Sequence, residues 1–127
     1  MNKDQMESLV LSYFKGVDAK DFKMIQNTIS QDCRLTVETH SVELNGHQEI
    51  ESMFENLWKN HKAVLHHNFK FFTDAASNKI SVQFNVVNTL QNDKILKKSN
   101  CNFFTIEQNK FNEINIYMAG ENTIIKS

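Results

Sequence analysis

Apolar residues recur at helical spacing near the start of the chain. Met6, Leu9, Val10, Tyr13, Phe14 and Val17 follow i, i+3, i+4, i+7 and predict an amphipathic helix. Gly16 is read as letting the chain turn, with Asp18 or Asp21 capping a short second helix. That helix carries Phe22, Ile25 and Ile29 on one face and ends at Ser30-Gln31-Asp32. Period-2 alternation follows: Cys33, Leu35 and Val37 on one side, Arg34, Thr36 and Glu38 on the other, which predicts a short strand. Asn45 and Gly46 open a third helix whose stripe is Ile50, Met53, Phe54, Leu57 and His61, with Trp58 at its flank.

Beyond His61 the texture changes to long alternating runs. Val64 to Thr73, Lys79 to Leu90, Ile95 to Glu107 and Phe111 to Met118 predict four strands. The segments between them, Asp74–Asn78, Gln91–Lys94 and Gln108–Lys110, are polar and rich in Asn and Asp, as hairpin turns require. Strands joined this way form an antiparallel meander, and the three helices must cover one face of it. The expected architecture is α+β, in the order α-α-β-α-β-β-β-β. The tail from Glu121 to Ser127 is expected to be loosely held.

Composition narrows the partners. The 127 residues include no proline and only three glycines, so no linker is visible and residues 1–127 are read as a single domain. A net charge of −1 leaves no basic field for a phosphate backbone, and nucleic acid is excluded as a partner. The start lacks an apolar run of signal-peptide length and no later segment would span a bilayer, so no membrane partner is expected. Cys33 and Cys101 are far apart and form no CxxC pair; free thiols in a reducing cytoplasm are expected, with a long-range disulfide as the alternative.

The order of elements resembles the cone-shaped, cystatin-like fold of the nuclear transport factor 2 (NTF2)-like superfamily, with its SnoaL-like and ketosteroid-isomerase-like branches. The residues that carry the resemblance are the stripe Leu9 to Phe14 and the run Asp32-Cys33-Arg34-Leu35-Thr36-Val37. Gly46-His47-Gln48-Glu49-Ile50, which resembles the start of the family's third helix, and Leu65-His66-His67-Asn68 complete it. The resemblance implies a bent sheet wrapping the first helix, an apolar cavity open at one end, and homodimers paired through the outer sheet face. Activities on this fold range from isomerases and cyclases to carriers and association modules, so the fold does not name the function.

Candidate chemistry is sparse. The isomerase branch implies an aspartate base near the end of the first strand, but Thr39 or Val37 stands there. Glu38 would need a bulge to point inward. Leu65, His67, Phe69 and Phe71 share one face of the alternation, so His67 is the candidate proton carrier facing the cavity, and a core histidine is the plainer reading. A one-residue slip would put His66 there instead. Tyr13, Trp58, Phe69, Phe84, Asn88, Phe103 and Tyr117 are the candidate ligand-binding residues, for a small and largely apolar molecule. Phe103, Phe104, Ile114 and Ile116 put apolar side chains on both faces of the last strands, as a covered outer face would require. No metal site is expected, since Cys33, Cys101, His40, His47 and His61 form no ligand set, and the chemistry asks for no cofactor.

Overall fold

The computed structural model describes residues 1–120; the expected loose tail from Glu121 to Ser127 lies outside them. The elements run α1 (Lys3–Asp18), α2 (Phe22–Gln26), β1 (Ile29–Val37), β2 (Val42–Asn45), α3 (Gly46–Asn60), β3 (His61–Asp74), β4 (Lys79–Leu90), β5 (Ile95–Glu107) and β6 (Lys110–Tyr117). One-turn 3-10 helices precede β2 and β4.

Local chemistry explains the helix starts. Asn2 caps α1 by accepting from the Gln5 N–H, and the Gln5 side chain returns a bond to the Asn2 N–H, both at 2.9 Å. Asp21 caps α2 by accepting from the Lys23 and Met24 N–H groups. Gly16 is not the turn expected of it. It lies inside α1, where a Cβ would stand 2.8 Å from Ile25 Cγ1 and 3.0 Å from the Ile25 nitrogen. Its absent side chain lets α2 pack directly on α1, and the turn falls instead at Lys20, with φ of +56°.

The six strands form one sheet in the order β2-β1-β6-β5-β4-β3. The hairpins β3–β4, β4–β5 and β5–β6 are antiparallel as expected, and β4 and β5 have the predicted bounds. Three expectations need correction. Ile29 and Ser30-Gln31-Asp32 belong to β1, not to α2. A short strand, β2, stands before α3, so the order is α-α-β-β-α-β-β-β-β. The sheet is mixed, because β1 runs parallel to β6 with Leu35 opposite Ile114 and Val37 opposite Ile116. The helices cover one face, and the core lies between them and Leu35, Ile80, Val82, Phe84, Phe104 and Ile114 on the strands. Register shifts in β1, β3 and between β5 and β6 mark bulges, which bend strands and accentuate twist.

Candidate ligand cavity

The bulge in β3 determines which side chains face the helices. His67 pairs with Asn85 and Lys70 with Gln83, so Asn68 and Phe69 together oppose Phe84 alone. Asn68 takes a left-handed backbone with φ of +58°, which asparagine tolerates better than most residues. The alternation therefore reverses within the strand. Val64 and His66 face inward before the bulge, Phe69 and Phe71 after it, and His67 and Asn68 are both exposed. His66, not His67, is the inward histidine.

His66 is held firmly. Its Nδ1 lies 2.5 Å from Asp18 Oδ1, and its backbone N–H donates to Asp18 Oδ2 at 2.9 Å. A carboxylate in the last turn of a helix is disfavoured by the helix dipole. The two bonds from His66 offset that cost and explain why an aspartate ends α1. Asp18 thus orients the ring rather than capping α2. With Nδ1–H committed to Asp18, Nε2 is left as the nitrogen able to accept a proton. The ring packs against Phe14 and Phe84, at centroid distances of 4.8 and 5.4 Å.

His66 forms part of the wall of a cavity of about 450 Å³ between the sheet and helices α1 and α3. Its lining is mainly apolar, with Phe14, Phe54, Val64, Phe84, Val86 and Ile116 prominent. Of the expected ligand-binding residues, the structure brings Tyr13, Phe84 and Asn88 to this cavity. Burial, then the charge of nearby Cys33, pushes the Tyr13 phenol far above its usual value, so Tyr13 can donate a hydrogen bond but not act as a base. Asn88 and Asn102 are buried, and the Oδ1 of each has no partner among the described residues.

The other expected site residues lie elsewhere. Trp58 stacks on Phe54 at 5.7 Å and donates from Nε1 to the Val17 carbonyl at 2.9 Å, so it ties α3 to α1. Phe69 packs in the core against Phe14 and Phe84. Phe103 and Tyr117 are on the outer face, 48% and 43% exposed, with ring centroids 5.7 Å apart. They line a groove of about 500 Å³ together with Arg34, Phe72 and Glu113. Glu38 lies on that groove and supplies no carboxylate to the cavity, while Val37 lines the cavity itself.

Sequence reasoning assigned none of Asp18, Asn102 and Lys98 to the site. Asn102 carried a signal, because it alternates with the buried Phe104 and so shares its face. Asp18 carried none, since its partner is 48 residues away. Cys33 and Cys101 are both free, and burial, with Asp32 and Glu113 nearby, pushes the Cys33 thiol up to about 12. Among the described residues no group of three or more His, Cys, Asp or Glu side chains could hold a metal ion. No helix among them is long and apolar enough to cross a membrane.

No protein-family profile matches the sequence, and no curated protein sequence does. Solved structures match closely in shape. A candidate polyketide cyclase from Xanthomonas campestris superposes with a TM-score of 0.84 at 10% identity, over 92% of each chain. A candidate SnoaL-like polyketide cyclase from Shewanella denitrificans gives 0.78 at 12% identity, over 90% of each chain. TerC, crystallised with polyporic acid, gives 0.79 at 11% identity, over 91% of this chain and 92% of that one. The chain therefore has the NTF2-like fold. Identities this low establish the fold alone.

Proposed function

We propose that this SnoaL-like chain binds one small, largely apolar molecule in the inner cavity and accepts a proton from it through His66. The observation that carries the reading is the His66–Asp18 pair at 2.5 Å, set in the wall of an apolar cavity of about 450 Å³. A carboxylate that fixes one ring nitrogen of a histidine leaves the other poised to take a proton. The crystallisation of the similarly folded TerC with polyporic acid is consistent with a cavity of this kind. Abstraction of a proton beside a carbonyl needs no cofactor, and Tyr13, in the cavity wall, would donate to a ligand oxygen.

The test uses 2-tetralone, a flat ketone with acidic C–H groups, in deuterated buffer. The native protein should accelerate deuterium uptake beside the carbonyl. His66→Gln should slow it by roughly 100-fold, within the usual contribution of a general base, and Asp18→Asn by less. Bound 2-tetralone whose exchange is indifferent to His66→Gln would remove the proton-transfer role.

Binding without turnover is the second reading, favoured by the absence of any carboxylate among the cavity's described lining residues. The outer face has its own role in the proposal, as the contact between two copies of the chain. Phe72, Phe103 and Tyr117 are its apolar part, and the groove carries both signs of charge, Arg34 and Lys79 against Glu38, Asp74 and Glu113. A self-complementary surface of that kind suits a two-fold pair. A reducing compartment such as the cytoplasm fits two free thiols.

A further inference from the structure

The charge around the cavity is one-sided. Among its described lining residues there is no aspartate or glutamate, while the cation Lys98 is present. Lys98 is half-buried on β5, opposite Val86, and His66 lies opposite the same Val86 from β3. None of the ion pairs among the described residues involves Lys98. An ammonium beside a largely apolar wall, without an ion pair among the described residues, is free to receive an anionic ligand.

A second observation stands beside the first. Asn88 pairs with Leu96, two residues before Lys98, so the two side chains are diagonal neighbours on the inner face, about 7–8 Å apart by sheet geometry. Asn88 is 8% exposed, lines the cavity, and has an Oδ1 with no partner among the described residues. A buried carboxamide left this way calls for a hydrogen-bonding partner.

We infer that Lys98 and Asn88 form a subsite for an acidic, hydroxylated ligand. Lys98 receives a carboxylate or ionised enol oxygen, and Asn88 binds a neutral hydroxyl on the same ring system. The inference rests on the ligand-binding reading of the cavity and narrows it, from apolar molecules in general to organic anions with an apolar body. Lys98 attracts the anion, Asn88 fixes its orientation, and the apolar wall holds its rings.

The experiment compares 2-naphthoate with its neutral counterpart 2-acetonaphthone at pH 7. Binding is followed by calorimetry and by the fluorescence of Trp58, the single tryptophan, which stacks on the cavity residue Phe54. The native protein should prefer 2-naphthoate by about tenfold, the usual scale of a hydrogen bond to a charged group. Lys98→Met keeps the alkyl stem and should erase that preference while leaving 2-acetonaphthone unchanged. 2-Naphthol, neutral at this pH, reports on Asn88: Asn88→Leu should weaken it about threefold or more, and Lys98→Met should not. Binding of 2-acetonaphthone equal to that of 2-naphthoate, or a preference that survives Lys98→Met, overturns the inference and leaves the cavity reading intact. Failure of all three probes to bind overturns both.

Discussion

Cys33 is fully buried on β1, and its thiol is pushed up to about 12 from an ordinary value of 9.0, first by burial and then by Asp32 and Glu113. A thiol raised on folding favours the folded state while both states keep the proton. Above pH 9 the unfolded chain releases that proton and the native one retains it, so stability falls with rising pH until about pH 12. Tyr13 shifts in the same direction, and for the same leading reason. Chemical denaturation between pH 8 and 11 should show this decline, and Cys33→Val, which keeps an apolar strand residue in place, should make it shallower. A slope identical in the variant would mean that the thiol ionises without cost where it lies. Capping involves only neighbours in sequence, so it narrows the cap of α2 to Asp18 or Asp21, and only the structure selects Asp21.

At the scale of the element, β3 is decisive, because one extra residue sets the identity of the inward histidine. Deleting Asn68 would restore strict alternation, with His66 opposite Val86 and Phe69 opposite Phe84 both still inward, but it would remove the bend and added twist that the bulge puts into β3. Phe69 touches Phe14 and Phe84, and His66 holds Asp18, so a straightened strand would strain contacts on both sides of the bulge. The deletion should destabilise the fold by about 2 kcal/mol, less than the loss of a large core side chain. Asn68→Gly, which keeps the left-handed φ of +58° available, should stay within about 1 kcal/mol of the parent. Thermal melts of both variants check this; a deletion as stable as the parent would show that the bend in β3 is not needed to hold His66 against Asp18. Periodicity located β3, β4 and β5 well because alternation is local. It misassigned His67 because alternation carries no mark of a bulge, and left-handed asparagines also occur at Asn78 and Asn109 in turns.

At the scale of the molecule, the outer face and the inner cavity are separate surfaces of the same sheet. Phe103 and Tyr117 share the outer one, where Phe103 is 48% exposed. A stable two-fold interface buries roughly 800 Å² per partner, with aromatic residues near its centre. Sedimentation should find the native chain dimeric at micromolar concentration. Phe103→Glu should weaken the pair by about thirtyfold or more, the scale of a hot-spot residue, without altering ligand binding inside the sheet. A native chain that stays monomeric at high concentration would remove the outer face as a contact between copies. The expected pairing of strands was all antiparallel because only hairpin neighbours can be read from turns. The parallel β1–β6 pair joins segments some 79 residues apart, through bonds such as Asn115 Nδ2 to Thr36 Oγ1 at 2.9 Å.

The sequence by itself determined the helices, the hairpin order of β3 to β6 and the core stripe of α1. Each of these follows from spacing, capping and turn residues acting over a few positions. It also set the material of the cavity, since many phenylalanines with few charges among them must enclose apolar space. Only the tertiary structure decided that Asp18 meets His66, that Phe103 and Tyr117 face outward, and that Lys98 lies beside Asn88 in a cavity without carboxylates. Those outcomes depend on a bulge, on a mixed sheet and on helix placement. All three are set by packing between residues distant in sequence, which a local pattern does not encode.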